Sequence, residues 1–110
     1  MVIDTSAIVA TAKREPGYEC FARAITAAET RRLPASCYLE TAMVLSRQPS
    51  GRAFLDGFVQ DSGLAILTPD AHQARLAADA FERFGRGSGH PARLNFGDCL
   101  ASACSGQIFI

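Results

Sequence analysis

Three carboxylates are the residues of this chain whose types and positions suggest chemistry. Asp4 follows the apolar pair Val2-Ile3, Glu40 lies in an apolar helical segment, and Asp98 precedes another apolar run. Three carboxylates in one pocket repel each other and take up protons, unless a divalent cation neutralises them. Oxygen ligands without thiolates or paired imidazoles favour Mg²⁺ or Mn²⁺ over zinc. Such an ion activates water and stabilises in-line attack on a phosphodiester, so the three acids together indicate metal-dependent hydrolysis.

Each acid taken alone also has a structural interpretation. Asp4 could cap the following helix by accepting amide hydrogens of its first turn. Glu40 is expected on an inward helix face and needs a partner there, either Arg47 or a metal, unless the face is half buried and the carboxylate reaches solvent. Its helical neighbours are Cys37, Met43 and Val44. Asp98 in a first turn would be stabilised by the helix dipole by roughly 0.3 to 1 kcal/mol.

The elements that must position these acids alternate between short apolar runs and segments of helical spacing. The runs predict strands at 2–4, 31–35 and 64–67, the last buried and parallel, and the first residues of another strand at 107–110. The other segments predict helices that begin after Asp4, at about 16, after a Ser36 cap, at 51, at Thr68-Pro69-Asp70 and at 95–98. The helix that begins at about residue 16 is expected to end at about residue 29, and the one that begins at 51 at about residue 62.

This alternation predicts one three-layer α/β/α domain with a mainly parallel central sheet, whose last strand is incomplete. Ligands of such sheets bind beyond the carboxyl ends of the strands, which is where Asp4 is expected. The chain has 110 residues, of which 48% are hydrophobic and 20% charged, a composition typical of one globular domain. Its formal net charge is zero, so no global field attracts nucleic acid or membrane.

Residues 85–93 form a Gly-rich basic segment just upstream of Asp98. Arg86, His90 and Arg93 could meet phosphates near a metal, although a solvated surface loop explains the composition equally well. The first residues do not resemble a signal peptide and no apolar run approaches the ~20 residues needed to span a bilayer, so we expect a cytoplasmic protein without a membrane partner. The four cysteines are expected to be small buried thiols.

Three segments carry a family resemblance: Met-Val-Ile-Asp-Thr-Ser-Ala-Ile-Val-Ala at the start, Ser-Cys-Tyr-Leu-Glu ending at Glu40, and Leu-Asn-Phe-Gly-Asp-Cys at 94–99. In this order they resemble the PIN domain family over residues 1 to about 107, and more narrowly the VapC toxins of type II toxin-antitoxin systems. The resemblance implies that Asp4, Glu40 and Asp98 are catalytic, metal-binding carboxylates, with Thr5 or Ser6 supporting the first. It implies a Mg²⁺-dependent endoribonuclease, with Mn²⁺ as a substitute ion, an RNA substrate, a VapB-like antitoxin and a homodimer.

The chain departs from the family pattern near residue 110. Family members continue through a longer last helix, a final strand and a loop that often supplies a fourth acid, so residues 1–110 are expected to form a PIN-like domain truncated at its C-terminus. An alternative is therefore a catalytically impaired remnant that still binds an antitoxin or dimerises. A third hypothesis is a small α/β ligand-binding domain with three coincidentally placed acids.

Overall fold

Pairs of helices alternate with short parallel strands along the chain, in agreement with the α/β pattern predicted from the apolar residues. The computed structural model describes residues 1–93 and 95–105, so the strand predicted at 107–110 lies outside the described residues. The elements, in chain order, are α1 (Thr5–Ala12), α2 (Tyr18–Ala27), β1 (Arg32–Pro34), α3 (Ala35–Leu45), α4 (Gly51–Asp61), β2 (Ala65–Leu67), α5 (Ala71–Phe84) and α6 (Phe96–Ser105).

The sheet is built around β1. Strands β1 and β2 pair in parallel, with Leu33 opposite Ile66. On the other side of β1, Val2 forms an isolated parallel bridge with Arg32, and the Ile3 amide donates to the Arg32 carbonyl at 2.8 Å. The strand predicted at 2–4 is therefore reduced to a bridge, and its parallel direction leaves Asp4 beyond its carboxyl end.

The prediction that 64–67 forms a buried strand is wrong in its burial. Leu64, which precedes β2, is buried in the core, but Ala65 and Ile66 are exposed. Among the described residues β2 pairs with β1 alone, so one of its sides has no covering strand there. The buried part of this segment is therefore Leu64, and the first two residues of β2 are exposed.

Two helices begin differently from the sequence prediction. Helix α3 follows β1 directly, with Pro34 at its N-cap, so Ser36 already lies in the first turn and does not cap the helix. The Ser36 hydroxyl is buried, with no hydrogen-bond partner among the described residues. Helix α5 is capped by Asp70 rather than Thr68: Asp70 accepts from the Gln73 amide at 2.8 Å, and Gln73 accepts from the Asp70 amide at 3.1 Å. This reciprocal capping box explains the later start.

The buried residues form two groups. We call one the aliphatic cluster; it consists of Ile3, Ile8, Ile25, Leu33, Cys37, Leu55, Leu64 and Ala101. We call the other the small-residue cluster, which joins α5 to α6 and consists of Ala77, Ala80, Cys99 and Ala103. Cys37 and Cys99 are buried thiols as predicted, whereas Cys20 is exposed on α2, contrary to the prediction. No helix in the described part of the chain is long and apolar enough to cross a membrane.

Candidate functional site

Asp4 lies at the junction between the parallel bridge and α1, and it caps that helix. Its Oδ1 accepts a hydrogen bond from the Thr5 amide at 2.7 Å, so the capping interpretation is correct. The Ser6 hydroxyl donates to Oδ2 at 3.5 Å. The Thr5 hydroxyl donates to the Cys37 carbonyl at 3.3 Å and thereby joins α1 to α3. Capping fixes the direction of the carboxylate and does not prevent its second oxygen from binding a ligand.

Cys37 contacts Asp4, which the sequence analysis did not foresee. The Cys37 thiol donates to Asp4 Oδ1 at 3.7 Å. Burial, together with the negative charge of Asp4, raises the pKa of this thiol to about 11. Cys37 therefore stays a neutral donor at physiological pH. The sequence held one signal for this contact: Cys37 lies three residues before Glu40, and side chains three apart are neighbours on a helix surface.

Glu40 does not lie on an inward face, so that prediction is wrong. The inward face of α3 carries Cys37, Thr41 and Leu45, which are spaced four residues apart, and Glu40 lies outside this row and is exposed. Arg47 is not its partner: the ion pair identified among the described residues joins Arg52 to Asp56.

Asp98 lies in the first turn of α6, where it makes reciprocal hydrogen bonds with Asn95. The Asp98 amide donates to Asn95 Oδ1 at 2.9 Å, and the Asn95 amide donates to Asp98 Oδ2 at 3.0 Å. This is the geometry of a capping box with an aspartate in place of the usual Glu or Gln. The interpretation of Asp98 as a favourable first-turn acid is therefore compatible with the structure, and the bonds also hold its carboxylate in place.

Helix α3 approaches the start of α6 at Glu40. A methyl group added to Gly97 would come within 2.5 Å of Glu40 Oε2, so the Glu40 carboxylate packs against the Gly97 backbone. Loss of hydration at this contact, followed by the charges of Asp4 and Asp98, raises the pKa of Glu40. The structure thus brings three acids that are distant in sequence into one electrostatic neighbourhood.

The donor chemistry of this neighbourhood suits a hard cation. All three side chains offer carboxylate oxygens, and a bound cation would offset both the lost hydration and the repulsion by Asp4 and Asp98 that raise the pKa of Glu40. Within residues 1–93 and 95–105, no three acidic, His or Cys side chains lie close enough to form a ready-made ion site. The roles predicted for Asp4, Glu40 and Asp98 as ligands remain predictions.

A cavity of about 460 Å³ opens beside two of these acids. Asp4 and Asp98 both line it, and its other walls are largely apolar, including Ala7, Phe21 and Ile25. The cavity lies between α1, α2 and the segment that leads into α6.

The basic segment at 85–93 borders this cavity through Ala92. Arg86 and Arg93 are exposed, and their predicted contact with phosphates stays a prediction. His90 is instead part of the segment's own structure. Its Nδ1 accepts from the Ala92 amide at 3.1 Å, and its ring lies edge-on against Phe84 with 4.7 Å between centroids.

Comparison with known proteins shows the family. The PIN domain family matches residues 1–107. Ribonuclease VapC28 of Mycobacterium tuberculosis is 45% identical over 105 residues, which cover 94% of this chain and 79% of the relative. Ribonuclease VapC of Mycolicibacterium smegmatis is 41% identical over 106 residues, covering 94% and 81%. Ribonuclease VapC42 of Mycobacterium tuberculosis is 40% identical over 105 residues, covering 94% and 80%. The chain belongs to the PIN domain family.

Proposed function

We propose that this protein is a Mg²⁺-dependent endoribonuclease and the toxin of a VapBC-like type II toxin-antitoxin pair, with Mn²⁺ as a substitute ion. The observation that carries the proposal is the convergence of three acids: Asp4 and Asp98 line one cavity, and the pKa of Glu40 is raised by loss of hydration and then by the charges of those two aspartates. Relatives that are 40–45% identical over most of the chain are named ribonucleases, which supports the same reaction.

Asp4 and Asp98 are suited to hold an ion because each is already fixed by its own helix. Asp4 uses Oδ1 to accept from the Thr5 amide and the Cys37 thiol, and Oδ2 has only the long contact with Ser6 among its described hydrogen bonds. Asp98 uses Oδ2 to accept from the Asn95 amide, so Oδ1 is the oxygen available for a ligand. A bound divalent ion would supply activated water and would stabilise the negative charge that develops during phosphodiester cleavage.

Glu40 would complete the ligand set from a different helix. Its carboxylate contacts the Gly97 backbone, where loss of hydration and then the charges of both aspartates raise its pKa. Glu40 would therefore add a third negative charge to the site. A bound cation would neutralise this charge, which is unfavourable when the carboxylate is left alone.

The partners in this proposal are RNA, a VapB-like antitoxin and a second copy of the chain. An exposed apolar face on α3, formed by Leu39, Met43 and Val44, supports association with another protein chain. Arg86 and Arg93 are exposed, and Arg93 follows Ala92, a residue of the cavity lining, which supports contact with RNA phosphates.

The test is cleavage of single-stranded RNA by the purified chain, with Mg²⁺ or with EDTA. Asp98→Asn should reduce the cleavage rate by about 100-fold or more, because even indirect partners of metal ligands are worth 10- to 100-fold. The matched control is Asp79→Asn, an exposed acid in the middle of α5, which should cleave like the wild type. Equal cleavage in EDTA, or an Asp98→Asn variant as active as Asp79→Asn, would contradict the proposal.

A further inference from the structure

The cavity beside Asp4 and Asp98 has features that the ribonuclease reaction alone does not require. We propose that it binds one unpaired base of the RNA substrate, with the ring of Phe21 as its stacking surface. This inference rests on the ribonuclease function proposed above, because it places the base next to the phosphodiester that the acids would act on. It makes single-stranded RNA the substrate class, since a base held in a duplex is not available to a pocket in this way.

The size and lining of the cavity suit a base. Its volume of about 460 Å³ falls within the range of about 300 to 1,000 Å³ that small-molecule pockets occupy. Ala7, Phe21 and Ile25 give it apolar walls, and Asp4 and Asp98 are the acids that line it. A flat, uncharged heterocycle can therefore fill the apolar part while its attached backbone remains near the acids.

Phe21 is an aromatic residue that packing among residues 1–93 and 95–105 does not bury. It lies on the same face of α2 as Ile25, one helical turn earlier, and Ile25 is buried in the aliphatic cluster. Phe21 itself remains 43% exposed and lines the cavity. Ile25 thus anchors the helix, and the Phe21 ring is left at the cavity surface where a base can stack on it.

The charges around the cavity favour a nucleotide over an acidic ligand. The two aspartates that line the cavity repel an anion unless a cation is present, whereas an uncharged base can bind the apolar walls directly. Phosphates on either side of that base have a cation nearby, since Ala92 lines the cavity and its neighbour Arg93 is exposed. The apolar walls therefore suit the base of an RNA strand. The two aspartates with a cation suit the reacting phosphate, and Arg93 suits the next phosphate.

The absence of tryptophan from the sequence gives a direct binding test. Phe21→Trp introduces a single fluorophore at the cavity, and Phe54→Trp, on α4 with 37% exposure, is the control. The probe is a short 2′-O-methyl oligoadenylate in Mg²⁺, compared with the same oligonucleotide carrying abasic positions. We expect saturable quenching of the Phe21→Trp variant by the intact probe, weaker quenching by the abasic probe, and no saturable quenching of the control. Equal behaviour of the two variants would overturn the inference.

Steady-state cleavage gives a second test that preserves the fold. Phe21→Leu keeps an apolar side chain without a ring, and Phe21→Tyr keeps the ring. Loss of one base–aromatic stack is worth at least about 1 kcal/mol, so Phe21→Leu should raise KM for single-stranded RNA by about 5-fold or more. Phe21→Tyr should keep the wild-type KM, and kcat should change little in either variant.

The outcomes separate this inference from the proposed function. If the wild type fails to cleave RNA, the ribonuclease proposal fails, whereas the fluorescence test still reports whether a base binds. If the wild type cleaves and Phe21→Leu keeps its KM, the base pocket is wrong and the ribonuclease proposal stands. If Phe21→Leu weakens binding of the purified antitoxin but keeps the wild-type KM, and the RNA probe does not quench Phe21→Trp saturably, the cavity serves a protein partner and the inference is overturned.

Discussion

The aliphatic cluster and the small-residue cluster stabilise this protein to different extents. The first contains Ile8, Leu33 and Leu55, all fully buried, and burial of each such side chain contributes about 1.5 to 3 kcal/mol. The second is made of alanines and a cysteine, which bury far less apolar area. Asp4 and Glu40 are carried by α1 and α3 around the first cluster, while Asp98 is carried by α6 beside the second. The candidate site therefore joins a strongly packed region to a weakly packed one.

Helix α6 is the connection between the two regions. Ala101 is fully buried in the aliphatic cluster, whereas Cys99 and Ala103 belong to the small-residue cluster. Asp98 lies one turn before Ala101, so the packing of α6 sets its distance from Asp4. Fold stability and site geometry therefore depend on different buried residues, so substitutions can change one property without the other.

The largest effect is expected from Leu33→Ala in the aliphatic cluster. It leaves a cavity at a side chain with 0% exposure and should lower the free energy of unfolding by about 2 to 5 kcal/mol in urea titrations. Leu76→Ala, at 38% exposure on α5, is the matched control and should change it by about 0.5 kcal/mol or less. Equal losses from the two variants would mean that the aliphatic cluster does not dominate stability.

Ala101→Leu should have the next largest effect. The added atoms overfill a site with 0% exposure, which costs about 1 to 3 kcal/mol of unfolding free energy. The strain should also push α6 outward and weaken Mn²⁺ binding, measured by calorimetric titration. Ala53→Leu, on the exposed side of α4, should change neither quantity. A destabilised Ala101→Leu variant with wild-type Mn²⁺ affinity would show that α6 does not transmit packing to the site.

Ala80→Gly tests the small-residue cluster. Glycine in the middle of a helix costs about 0.5 to 1 kcal/mol relative to alanine, and Ala78→Gly, exposed on the same helix, measures that cost alone. Ala80 is buried, so its variant should lose about 0.8 kcal/mol more than Ala78→Gly for the missing methyl. Hydrogen exchange should accelerate in α6 more than in β1. Identical losses would mean that the Ala80 methyl contributes no packing.

Glu40→Gln should have the smallest effect on stability, and its sign should depend on pH. The pKa of Glu40 is raised by lost hydration and by Asp4 and Asp98, so without metal the folded state holds the proton more tightly than the unfolded state. Stability is then lost as pH rises through the raised pKa. Glu40→Gln should therefore exceed the wild type in stability at neutral pH in EDTA, and this gain should disappear below the ordinary glutamate range. Glu82→Gln, exposed on α5, is the control, and a pH-independent gain would contradict this explanation.

The order of helices and the parallel direction of the strands could be predicted from sequence, because apolar spacing and Gly or Pro boundaries are local signals. The burial of β2 and the direction of Glu40 could not. Both depend on which surface is covered by distant elements. The apolar pattern of Leu64 to Leu67 is equally compatible with a strand at the centre of a sheet and with one at its edge. The grouping of the three acids in one site stays a prediction, and the contact between Cys37 and Asp4 and the packing of Glu40 on Gly97 arise only when α1, α3 and α6 meet.

The central claim is that Asp4, Glu40 and Asp98 form one cation site across the two packing regions. Urea unfolding of the wild type, Asp4→Asn, Asp98→Asn, the double variant and Asp79→Asn, each with EDTA or Mn²⁺, tests it most directly. Asparagine keeps the capping ability of both positions, so folding should be preserved. Mn²⁺ at a concentration 100 times the wild-type Kd should stabilise the wild type and Asp79→Asn by about 2.7 kcal/mol. Asp4→Asn and Asp98→Asn should each lose most of that gain, with little further loss in the double variant, whereas a full Mn²⁺ gain in Asp98→Asn would contradict the account.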